Sequence, residues 1–337
     1  MEKIVRTVCL FSTQAGQKEM DRLGRLETTL IGAGYSVQTK RICLNHPDAP
    51  YDETELSRQS ILLGLGSLRS DEFQRVRGRF LSSDNAAINL DLTRGIIGSK
   101  QVEILFQIIA ARPAKTFEFA YTFHGPASTP YFPSARYQKE GFSLGLQPTN
   151  LAAGCDSLDE WLDRLKSVWN EIATLFHPEP DFLGIDSSVA PLFEGDSSLV
   201  HFTRRLKGSF SASVTTDFYT RLTRFIKEEN PYPVGLCGLM LPCLEDFELA
   251  EEYENGNLTL ERNLFLSLHS GLGIDTYPIG IDERKERVLE ILRLTQALSN
   301  KYQKPLAIRF VSDGKARIGQ KTDFQNPYLK DVTVRPL

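Results

Sequence analysis

Short apolar, β-branched runs alternate along the chain with longer stretches in which apolar residues recur every three to four positions. Residues 4–10 read as a strand. Met20, Leu23, Leu26 and Leu30 then share one helical face, closed by Gly32 and Gly34. The same rhythm predicts strands over 35–44, 85–90, 115–123, Phe182–Asp186, 234–241, 273–279 and Leu306–Val311. Helices are predicted over 53–63, 101–110, Leu158–Phe176, 213–227, 245–255, 257–270 and 283–298. The stripe Leu158, Trp161, Leu162, Leu165, Val168, Trp169, Ile172 and Phe176 is the clearest helical face, and Pro178 and Pro180 follow its end. Strands alternating with helices of this length indicate an α/β fold with a mainly parallel sheet, open or closed into a barrel. Residues 1–337 read as a single domain, and 124–150, rich in Pro, Ser and Tyr, as a long loop or excursion.

Composition narrows the function classes. A chain of 337 residues with 41% hydrophobic residues can bury a large core. A formal net charge of -4 lacks the basic footprint of a nucleic-acid binder. No apolar run reaches the roughly 20 residues of a membrane span. The start of the chain has no signal-peptide layout, and Cys9, Cys43, Cys155, Cys237 and Cys243 are odd in number and scattered. Reduced thiols and a cytoplasmic location are therefore expected. There is no P-loop, GxGxxG, GxSxG or HExxH motif.

Parallel α/β folds bind ligands beyond the carboxyl ends of their strands, which directs attention to polar residues there. Asp186 ends one predicted strand and is followed by Ser187 and Ser188. It could orient a substrate, hold a metal or move a proton, or simply cap the next element. Gly235 and Gly238 suggest close approach of a ligand or a neighbouring backbone. Glu245 and Asp246 follow at a helix start, where acids also serve the helix dipole. Asp275 lies within an apolar strand and needs a partner there. Arg309, in the otherwise apolar run Leu306–Val311, is a natural partner for a buried carboxylate or an anionic ligand. His124 stands at a strand-to-loop junction beside Gly125 and could act as acid, base or ligand, although a lone histidine is more often structural.

These segments carry a resemblance. The chain is similar to the domain of unknown function 711 family at Val5-Arg6-Thr7-Val8, Asn89, Thr93-Arg94-Gly95 and Phe123-His124-Gly125. The similarity continues through Gly184 to Pro191, Gly235 to Asp246, Gly256 to Glu261, Gly271 to Asp275 and Ala307-Ile308-Arg309. The resemblance implies a parallel-type α/β barrel like that of pyruvate formate-lyase-type enzymes, in a fold whose members often pair as homo-oligomers. It adds Asn89 and Cys237 to the expected ligand-binding residues, Cys237 replacing a family serine. It does not imply glycyl radical chemistry, because Gly314 and Gly319 lack the context that chemistry requires.

Two main readings follow, with a third beside them. In the first, the protein is an acid/base enzyme of hydrolase or lyase type acting on a small polar metabolite. Asp186, Glu245, Asp246, Asp275 and His124 would be catalytic, and Asn89, Ser187, Cys237, Gly238 and Arg309 would bind the ligand. In the second, it is a non-catalytic small-molecule-binding or regulatory protein, recognisable by acids that arginine or loop amides have neutralised. In the third, Asp186, Asp275 and Glu245 hold Mg²⁺, Mn²⁺ or Ca²⁺.

Overall fold

The computed structural model describes residues 2–337 as one mixed α/β assembly built on a ten-stranded, mostly parallel sheet. In chain order the strands are β1 (Ile4–Ser12), β2 (Ser36–Val37), β3 (Lys40–Leu44), β4 (Ile61–Leu68) and β5 (Ala86–Asp91). They continue with β6 (Phe119–Phe123), β7 (Gly141–Leu146), β8 (Phe182–Asp186), β9 (Gly273–Pro278) and β10 (Leu306–Val311). The spatial order is β8-β7-β1-β3-β4-β5-β6-β10-β9, with β2 paired to β1. β1 and β3 to β6 run parallel, as do β7 with β8 and β9 with β10. The two groups meet antiparallel, at β1–β7 and at β6–β10.

The sheet is not a closed barrel of ladders, which corrects the expected fold. Between its edge strands β8 and β9 runs the segment 233–242, which holds the strand expected over 234–241. It makes only isolated parallel bridges, Ile185 to Pro233 and Val189 to Leu239 on one side and Leu239 to Gly271 and Pro242 to Asp275 on the other. Pro233 and Pro242 lack the N–H that a ladder needs, and Gly235 and Cys237 adopt positive φ.

The region 124–150 is not a loop throughout. It contains β7, buried at all six positions between β1 and β8. Likewise the helix expected over 53–63 stops at Arg58, and β4 begins at Ile61. The predicted helix Leu158–Phe176 (here α1) has the expected bounds. Ser157 caps it by accepting from the Glu160 N–H, and the aromatic stripe is buried. Trp169 donates from Nε1 to Ser187 Oγ at 2.6 Å, tying this helix to the end of β8. Two further helices matter to the site. Leu199–Lys207 (α2) has no predicted counterpart, and Phe247–Glu254 (α3) follows Glu245 and Asp246. Among the described residues no helix is long and apolar enough to cross a membrane, and all five cysteines are buried and free.

Candidate functional site

A cavity of about 830 Å³ lies against the inner face of the sheet. It is lined from the first strand group by Arg6, Arg41, Leu62, Ala87, Glu118 and Ala120. The facing wall comes from the loop after β8, from segment 236–245, and from β9 and β10. Alanines and glycines on the strands leave the space that larger side chains would fill. Phe132, carried inward by the 130–135 segment, closes part of it, and a Cβ on Gly64 would sit 2.9 Å from its ring.

Charge in the cavity is ordered. Arg309 donates from Nε to Asp275 Oδ1 at 2.7 Å and from Nη2 to Glu245 Oε2, so two of the expected acids share one guanidinium. Burial works against its charge, but Asp275 and Glu245 outweigh burial and hold the Arg309 pKa above its ordinary value. Arg6 approaches Glu245 Oε1 at 3.6 Å and donates to Gln38 Oε1 at 3.3 Å. Glu118 pairs with Lys115, and its carboxyl is pushed up by burial.

Arg41 is different. It donates from Nε to Thr39 Oγ1 at 3.2 Å and from Nη1 to the Pro130 carbonyl at 3.3 Å, and it lies over the Phe132 ring at 5.0 Å. Among the described residues it forms no ion pair with a carboxylate. Burial, reinforced by the nearby charge of Arg6, lowers its pKa to about 10, so it stays cationic at neutral pH.

The expected site residues divide between the cavity and the framework behind it. Glu245, Asp275 and Arg309 come together at the cavity wall. Asp186 does not line it. Its two oxygens accept five hydrogen bonds: from Thr129 Oγ1 (3.0 Å), Ser188 N (3.0 Å), Ser188 Oγ (2.6 Å), Leu236 N (2.8 Å) and Cys237 N (3.0 Å). Burial pushes its carboxyl up while these donors pull it down. Asp246 is buried as the cap of α3, accepting from Glu248 N and Leu249 N, and it also takes Leu199 N at the start of α2. Burial raises its pKa to about 7.

The remaining expected residues also stand outside the lining. Ser187 accepts from Trp169, and Gly238 N donates to Ser188 Oγ at 3.2 Å. Burial raises the Cys237 thiol to about 12. Asn89 donates to the Pro133 and Ala135 carbonyls at 2.8 and 3.1 Å, and so fixes the segment that carries Phe132. His124, at positive φ, places Nδ1 3.0 Å from Ser299 Oγ. The three acids expected to share a metal do not gather. Asp186 is occupied by its donors, Glu245 and Asp275 by Arg309, and no group of three metal-ligating side chains occurs among the described residues.

Sequence reasoning missed Arg6, Arg41 and Glu118. A charged residue inside an apolar strand singled out Arg309, and the same signal stands at Arg6 in Ile-Val-Arg-Thr-Val and at Arg41 in Lys-Arg-Ile-Cys-Leu. The rule that favours carboxyl ends hid them. The two strand groups run oppositely, so the cavity gathers the amino-terminal parts of β1 and β3 to β6.

The fold and cavity together define an α/β protein whose mostly parallel sheet carries an arginine-lined cavity. The sequence profile of domain of unknown function 711 (DUF711), described as an uncharacterised ACR, matches residues 110–325, more than half of the chain, and the chain belongs to that family. No curated protein matches the chain.

Proposed function

We propose that the protein binds a small anionic metabolite in this cavity. One observation carries the reading: Arg41 is a buried cation facing the cavity without a carboxylate partner. An isolated buried charge is costly, and an incoming anion would supply the missing partner with charge-assisted hydrogen bonds. Glu245 and Asp275 are already paired with Arg309, and loop amides hold Asp186 and Asp246, the pattern expected of a binding chamber. Segment 233–242, bridging β8 and β9, supports the reading that the sheet and this segment form a barrel-like ring in the manner of pyruvate formate-lyase-type enzymes. Five buried free thiols accord with a reducing, cytoplasmic setting.

The test is a thermal-shift screen of carboxylates, phosphates and amines on wild type and Arg41→Gln. A ligand at 100 times its Kd stabilises by about 2.7 kcal/mol, a readily measured rise in Tm. Anions should raise the Tm of wild type and not that of the variant. Stabilisation by amines alone, or an equal shift in both proteins, would refute the reading.

A second reading, acid/base catalysis on the bound anion, is favoured by two cavity carboxyls in unlike surroundings. Glu118 is pushed up by burial, and Asp275 is held by Arg309. Chemical conversion of a bound anion, followed by NMR, supports it, and recovery of that anion unchanged sets it aside.

A further inference from the structure

The cavity walls differ in chemistry as well as in strand direction. The side around Arg41 presents hydrogen-bonding groups from the starts of neighbouring strands: Thr39, Ser60 and Asn85. The opposite side, from segment 236–242 and β9, presents Leu236, Met240, Leu272 and Ile274. Phe117 continues the apolar surface and lies beneath Arg309, its ring centroid 5.1 Å from the guanidinium carbon. With Glu118 held by Lys115, three arginines face two carboxylates, Glu245 and Asp275, so the wall carries one uncompensated positive charge, at Arg41.

Volume sharpens the picture. A two-carbon acid has four heavy atoms, about the space of four waters, or about 120 Å³ at water's share of liquid volume. Most of the 830 Å³ would then remain beside an apolar wall. Ligand chambers of this size are filled mainly through apolar contact, with a few polar groups fixing orientation.

We infer that the ligand is an amphipathic monoanion: a carboxylate seated on Arg41, with an aryl or medium-chain acyl body against Leu236, Met240, Leu272 and Ile274. The inference rests on the anion-binding reading and adds the class of its body. A second carboxylate at the far end of the ligand would meet the apolar wall or Glu245 and Asp275, and would be rejected.

Isothermal titration of the full chain with acetate, succinate, hexanoate, phenylacetate and phenylacetamide tests it, on wild type, Arg41→Gln, Arg41→Lys and Met240→Gln. Phenylacetate or hexanoate should bind wild type at least about ten-fold tighter than acetate or succinate, since burying a few methylenes alone is worth that factor. Phenylacetamide should not bind measurably. Arg41→Gln should abolish binding, Arg41→Lys should restore part of it, and Met240→Gln should weaken the aryl and acyl acids several-fold while leaving acetate unchanged. Should Arg41→Gln not fold, the Lys and Met240 variants carry the comparison. Succinate binding as tightly as phenylacetate, with dependence on Arg41 kept, would overturn the amphipathic class and leave anion binding standing. No binding by any of the acids would overturn the amphipathic carboxylate class, and binding indifferent to Arg41 would overturn both readings.

Discussion

Asp186 and Arg41 show how unlike the fates of two buried charges can be. Arg41 keeps donor capacity toward a cavity, whereas Asp186 has used its acceptors on the backbone of 188 and 236–237 and on two hydroxyls. The position of Asp186 at a strand end was legible in the sequence, but its donors were not, because they come from residues 50 to 57 positions away as well as from Ser188 two positions on. Gly235 adds a constraint of the same kind: at φ +73°, its Cβ would lie 2.2 Å from Asp186 Oδ2. If Asp186 were a catalytic acid or base, Asp186→Asn would leave a folded but inactive protein. The hydrogen bonds give a different expectation. An amide nitrogen in place of one carboxylate oxygen would face N–H groups, leaving buried donors unpaired, so Asp186→Asn should destabilise by about 3 kcal/mol. Urea unfolding checks this. A loss below about 1 kcal/mol would mean that the carboxylate is not the clamp for segment 235–238.

At the scale of elements, legibility followed side-chain pattern. The helix Leu158–Phe176 and the strand Leu306–Val311 have the predicted bounds because each has an unbroken apolar face and a clear stop. β7, Gly141–Leu146, was hidden by its composition. Two glycines and a serine among six residues look like loop, yet the strand is covered on both faces and small residues are what fit. A Cβ on Gly145 would meet Thr7 Cγ2 at 2.8 Å, so β7 packs against β1 because it lacks side chains there. Gly273 sets a similar condition where β9 meets β10. Its φ is +112°, and a Cβ would come within 2.0 Å of the Ala307 carbonyl oxygen. The atoms such a Cβ would meet are all Ala307 backbone, with no flexible side chain to yield, so Gly273→Ala should cost about 3 kcal/mol or more, and it should displace Asp275 and Arg309 along with the strands that carry them. Chemical denaturation gives the stability, and titration of a cavity-binding anion reports the displacement. A variant with wild-type stability and affinity would show that β9 can shift freely against β10.

At the scale of the whole molecule, no single segment reveals the cavity, because its walls are drawn from the first strand group, the second group and the C-terminal region. Phe324 to Tyr328 line the cavity at the tip of a strap whose base is pinned. Thr322 N donates to the Val332 carbonyl at 2.9 Å, Lys321 bridges to Thr333, and Phe324 N donates to Asp331 Oδ1 at 2.9 Å. There Tyr328 stacks on Phe193, another lining residue, with ring centroids 5.6 Å apart and planes inclined by 26°. Phe193 itself holds a positive φ and is fixed by backbone hydrogen bonds with Glu245 and Phe247, so the wall side of the stack is anchored next to the charged cluster. The Tyr328 side is 45% exposed. A ligand leaving past this stack would have to part it, and an aromatic pair contributes about 0.5–1.5 kcal/mol beyond its buried area. Tyr328→Ala should therefore raise the ligand dissociation rate by about two- to ten-fold, while global stability changes by less than about 1 kcal/mol because little of the core is touched. Stopped-flow displacement of a bound anion measures the rate, and thermal unfolding of the free protein measures the stability. An unchanged dissociation rate in a stable variant would mean that ligands enter elsewhere, leaving the strap a fixed wall of the chamber.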